Sequence, residues 1–152
     1  METTPDNRVM TAFRDAEMKA AIEARQGTHT ISEAVHAILD RYFFMLTLSM
    51  PDFSEAEASL LVDALNGTIF HKETVSLLWA NIEDAIRTDS LDQKWQIDGA
   101  SLLARLRDLK PFEALAVVDA VEQFWSGFYR QEGTMREKLL ACGLLKPERK
   151  RL

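Results

Sequence analysis

Apolar positions recur along most of this chain with the 3.6-residue period of an α-helix. The clearest stripe is Val75, Leu78, Trp79, Ile82 and Ile86, which predicts a helix over 71–88. Ile31, Ala34, Val35, Ile38, Tyr42 and Leu46 predict another over 30–46. Thr30-Ile31-Ser32-Glu33 opens it as a capping box, in which hydroxyl and carboxylate each accept from the other residue's backbone N–H. Pro51 closes that segment. A second box, Ser54 with Glu57, starts a helix carrying Ala58, Leu61 and Leu65, and Asn66-Gly67 ends it. Before these, Asp15 caps a helix over 15–25 with Met18, Ala21 and Ile22 on one face, and Gly27 stops it. Later, Asp98 caps a helix holding Leu102, Leu103, Leu106 and Leu109. Pro111 sits in the first turn of a run with Leu115, Val118, Val121, Trp125 and Phe128. Gly133 breaks that run before a short helix over 134–141. The polar stretch 89–97 reads as irregular, with Trp95 folded back as an anchor.

One segment departs from the helical period. Residues 8–14, RVMTAFR, alternate as a strand, with Val9 and Phe13 inward and Arg8, Met10, Ala12 and Arg14 outward. A lone strand leaves its backbone groups unpaired, and no second strand is visible in the chain. The economical partner is the same strand of a second copy.

The order of short strand, helix, tight turn and helix resembles the ribbon-helix-helix fold of the Met and Arc repressors. The resemblance covers residues 8–46 and rests on RVMTAFRDAEMKAAIEARQ, the turn GTHT and ISEAVHAILDRYFFML. It implies an obligate dimer whose paired strands enter the DNA major groove, which admits a two-stranded ribbon. Arg8, Met10, Ala12 and Arg14 would then face DNA. Backbone N–H groups around Thr30 and Ile31 would hold a phosphate, with Thr28 and His29 beside them. Val9, Phe13, Ile38, Tyr42 and Phe43 would form the contact between copies. The fit to the pattern is incomplete. Met10 and Ala12 offer a base at most a methyl contact, and Thr11 stands where an apolar inward residue belongs. The rest of the chain, including DALNGT and WANIEDAIRTDSLDQKWQIDG, resembles uncharacterised bacterial helical proteins, with no activity attached.

Charge changes this picture in part. The 152-residue chain has a net charge of -6, with residues 1–46 at -2, 47–110 at -5 and 111–152 at +1. No segment is strongly basic, so a large counterion-release contribution to DNA affinity is not expected. A dimer would gather two copies of Arg8 and Arg14 on one ribbon. The acidic middle segment is suited to a basic protein partner. Hydrophobic residues make up 47% of the chain, enough for a packed core. The longest apolar stretch, 42–51, is too short to span a bilayer, which takes about 20 residues. With no secretory pattern at the N-terminus, the expectation is a cytoplasmic protein with no membrane partner.

Enzymatic chemistry finds little support. His71-Lys72-Glu73 has the H-x-E spacing of a zinc deaminase, but the required downstream cysteine pair is missing, since Cys142 stands alone. Asp89, Asp92 and Asp98 do not make a calcium loop, because Lys94 occupies the position that needs glycine. Glu55 and Glu57 are explained by the helix dipole of a first turn. Trp79, Trp95, Phe124, Trp125 and Phe128 at helical spacing read as core, with a sensor pocket between Trp79 and Trp125 as a weaker reading. The block Tyr42-Phe43-Phe44-Met45 cannot all face one core stripe, so a second element or a second copy should cover part of it.

The chain therefore reads as mainly all-α. Residues 1–50 form a ribbon-helix-helix element for dimerisation and DNA binding. Residues 52–145 form a helical, bundle-like domain, and 146–152 a basic tail that can also touch nucleic acid. The expected function is a dimeric DNA-binding transcriptional regulator of bacterial or mobile-element type, not an enzyme and without a cofactor or metal. The alternative is an acidic helical interaction module, such as a phage or plasmid factor that inhibits a host system, with no DNA contact.

Overall fold

A computed structural model describes residues 16–66, 75–127 and 132–148. The described residues form helices and no strand, so the chain is mainly helical. The candidate strand 8–14, with Arg8, Val9, Met10, Ala12, Phe13 and Arg14, lies outside them, as do His71-Lys72-Glu73, Phe128 and residues 149–152 of the basic tail. The helices are α1 (Ala16–Gln26), α2 (Ile31–Ser49), α3 (Glu55–Ala64), α4 (Val75–Asp89), α5 (Leu91–Trp95), α6 (Gly99–Arg107), α7 (Pro111–Gly127) and α8 (Met135–Ala141). The chain divides into two compact units, Met1–Phe43 and Phe44–Leu152, and the division falls within α2.

The second unit is built around α3. Five consecutive residues, Ala58 to Val62, are buried, and Leu65 follows them. A helix apolar on nearly all sides is one surrounded by others. Helices α4, α5, α7 and α8 pack on it, and α6 packs on α4. Ser59 enters this apolar setting because its hydroxyl donates to the Glu55 carbonyl at 2.7 Å. Ser54 caps the helix, with its Oγ accepting from Glu57 N–H at 3.1 Å and Glu57 Oε1 accepting from Ser54 N–H at 3.2 Å.

The core collects Leu78, Trp79 and Ile82 from α4, Leu102 and Leu106 from α6, Val117, Val121 and Phe124 from α7, and Leu139, Leu144 and Leu145 from α8 and beyond. Each fully buried leucine or valine contributes about 1.5–3 kcal/mol relative to exposure. Trp95 and Trp125 are half-buried against the same core. The Trp125 Nε1–H donates to the Val62 carbonyl at 2.9 Å, in the last turn of α3, where carbonyls run out of helical donors. Gly143, at φ +84°, ends α8 and turns Leu144 and Leu145 back into the core.

The stretch 89–97 is not wholly irregular, since Leu91–Trp95 closes into the short helix α5. Its flanking residues Ser90 and Gln96 both have left-handed backbones, at φ 52° and 54°. Lys94 holds α5 to α3 through Asp63 at 2.6 Å. Asp98 caps α6, with its Oδ1 accepting from Ser101 N–H at 3.1 Å. Arg105 of α6 reaches Glu57 and the Asp52 carbonyl, and Arg136 of α8 reaches Glu55 at 2.9 Å. Such exposed pairs contribute little to stability but fix where the helices end.

Candidate self-association and nucleic-acid surface

In the first unit, α1 supports itself by local means. Glu17 lies in its first turn, and Arg25 in its last turn donates to the Ala21 carbonyl at 2.6 Å. Lys19 and Glu23 pair across one turn at 3.8 Å. Gly27 at φ +55° ends the helix. A β-carbon there would meet nothing within 4 Å, so the backbone angle alone calls for glycine.

No residue of α1 is buried. Met18 is 53% exposed, and Ile22 is only half-buried. An 11-residue helix is marginal in water by itself.

Four residues of the expected phosphate site, Thr28, His29, Thr30 and Ile31, form the connection into α2. The first three are exposed and Ile31 is half-buried. Thr30 and Glu33 make the capping box read from the sequence. Thr30 N–H donates to Glu33 Oε2 at 2.8 Å, and Glu33 N–H donates to Thr30 Oγ1 at 3.2 Å. His29 Nδ1 lies 3.5 Å from the same carboxylate. The bond from the Thr30 backbone N–H, reinforced by His29 and the Thr30 hydroxyl, holds the Glu33 carboxyl below its ordinary value. The start of α2 thus carries its own anion. A phosphate there would have to displace Glu33.

The residues expected between two copies divide by exposure. Ala34 and Leu46 are buried, and Val35, Ile38 and Tyr42 are half-buried. Phe43 is 50% exposed, with its ring tilted against Tyr42 at 5.7 Å. Beyond these, Leu39, Phe44, Met45 and Leu48 are exposed, Phe44 by 63% and Leu48 by 65%. Among the described residues, eight large apolar side chains are exposed, and six of them (Met18, Leu39, Phe43, Phe44, Met45, Leu48) lie on α1 and α2. Sequence reading singled out the aromatic block but not Leu39 or Leu48. The available signal was the helical register, which puts Leu39 beside Phe43 and Leu48 beside Phe44.

No other chemistry assembles among the described residues. His, Cys, Asp and Glu side chains form no group placed for a metal ion. No helix is long and apolar enough to cross a membrane. Trp79 and Phe124 are core residues, and Trp125 is occupied with Val62. Burial raises the Cys142 thiol above its ordinary value, which makes it a poor nucleophile.

No family model matches this chain, and neither a curated protein nor a solved structure matches it.

Proposed function

We propose that the chain is a dimeric DNA-binding protein, a transcriptional regulator of bacterial or mobile-element type, in which residues 8–46 dimerise and contact DNA. One observation carries this reading: the α1–turn–α2 unit lacks a core of its own. Its first helix buries nothing, and the two helices hold six of the eight exposed large apolar side chains among the described residues. Apolar surface concentrated in this way marks an assembly site. The second unit already has a complete core and needs no such partner. In this reading a second copy supplies the missing surface, and Arg8 and Arg14 of both chains face DNA.

Light scattering with and without residues 1–14 tests the dimer, and a DNA-binding salt series tests the contact. Replacing Arg8 and Arg14 by alanine should keep the dimer. It should flatten the slope of log K against log salt by roughly 3–4, for four lost phosphate contacts. A monomeric full chain, or a dimer that ignores duplex DNA at low salt, removes this function.

A second reading rests on Glu33. Its carboxylate occupies the helix N-terminus at which phosphate was expected, and residues 47–110 carry a net charge of -5. Both favour an acidic module that binds a basic protein. In that case the alanine variants leave function untouched.

A further inference from the structure

Ala37, Arg41, Phe44 and Leu48 are spaced by four, three and four residues along α2. That is the a/d spacing of a coiled-coil seam. The preceding position at this spacing, Ala34, is buried, so the seam begins at Ala37. All four residues are exposed, and the stripe lies away from the side of α2 that holds Ile38, Tyr42 and Leu46. Asp40 is exposed beside it. Arg41 is also chemically idle. The other five arginines among the described residues (25, 87, 105, 107 and 136) donate to a carboxylate or a carbonyl, and Arg41 has no such partner there.

We propose that this stripe is a self-association surface, on which α2 packs antiparallel against α2 of a second copy about a two-fold axis. The stripe is self-complementary. With the axis between Tyr42 and Phe43, Ala37 faces the partner's Leu48, small against large. Arg41 lies over the partner's Phe44, where a cation over a ring face is favourable. The partner's Asp40 is one helical turn further on and takes the guanidinium as an ion pair. Two-fold symmetry makes each contact twice. A neutral or acidic foreign partner would match Phe44 and Leu48 but would leave either Asp40 or Arg41 without an opposite charge. The surface is separate from the ribbon at residues 8–14, so it does not depend on DNA contact. Where the ribbon also pairs, the two contacts together join four chains.

Two measurements on the full chain test the seam. The substitution Arg41→Glu sets an acid against the partner's Asp40. The dissociation constant for self-association should rise by roughly tenfold or more, because every contact is lost twice. The scattering mass at micromolar concentration should halve, with helix content unchanged. The second measurement is disulfide capture in a Cys142→Ser background. Ala37→Cys with Leu48→Cys should form a covalent dimer on mild oxidation. Either cysteine alone should not, because like residues of the two copies lie roughly 16 Å apart along the axis, beyond disulfide reach. An unchanged mass for R41E, or cross-linking by a single-cysteine variant, overturns the seam. So does a full chain that is monomeric while deletion of residues 1–14 lets it associate, because the chain's own N-terminus is then the occupant. R41E that halves the mass of a chain indifferent to DNA leaves the seam standing and removes the DNA reading. Intact DNA binding with an unchanged mass does the reverse.

Discussion

Trp125 spends its indole N–H on a carbonyl of α3, so it is both a packing residue and a helix terminator. Trp125→Phe keeps most of the ring and deletes the donor. The expected cost is about 1–2 kcal/mol, read as a lower urea midpoint at unchanged slope. Gln96 is placed in the opposite way, as a non-glycine residue in a left-handed backbone at φ 54°. Gln96→Gly removes the steric penalty and should stabilise the fold by about 1 kcal/mol, seen as a raised melting temperature.

Glu33 titrates with a predictable sign. Its folded-state value lies below the ordinary 4.5, chiefly because it accepts the Thr30 backbone N–H. Its contribution to the start of α2 is therefore present above the unfolded value and lost as pH falls through the folded one. An NMR titration should place the Glu33 carboxyl midpoint below 4.5, and Glu33→Gln should abolish that titration without unfolding the second unit.

At the scale of elements, each helix reveals how it is held. The capped helix α3 loses about 1 kcal/mol with Ser54→Ala, because the capping N–H groups return to water while the core stays intact. By contrast, α1 has nothing to lose within its own chain. Its amides should exchange rapidly in dilute protein and gain protection as concentration rises, if assembly covers it. Concentration-independent protection of α1 would mean that the single chain suffices.

The capping boxes at Thr30 and Ser54, the cap at Asp98 and the start at Pro111 were legible because each is a matter of three or four adjacent residues. The short helix α5 was not legible. Its ends are turned by Ser90 and Gln96 rather than by glycine, so no breaker marks them, and α3 and Asp63 hold it from outside. In the candidate site, the aromatic block 42–45 stood out because its side chains are large. The seam did not, since two of its four positions are alanine and arginine, which a search for apolar periodicity passes over.

For the whole molecule, the two units should separate in behaviour. Every residue of the main core lies at or after Met50. A fragment of residues 50–152 should therefore melt cooperatively, within a few degrees of the same transition in the full chain, while losing all self-association. Failure of that fragment to fold would show that the core needs the segment before it. The melting temperature of the full chain should rise with protein concentration only in the part that assembles.

The tryptophans add a spectroscopic consequence. Trp79, Trp95 and Trp125 all belong to the core unit, and residues 1–43 contain none. Indole emission is therefore blind to α1 and reports only the packed interior around α3. Far-ultraviolet circular dichroism weights every helical peptide alike, so α1 and α2 contribute to it in full. Loss of the first unit would lower ellipticity with no change in emission wavelength. Two non-coincident curves from the two probes would then mark sequential loss of two separate bodies rather than a swollen intermediate of one.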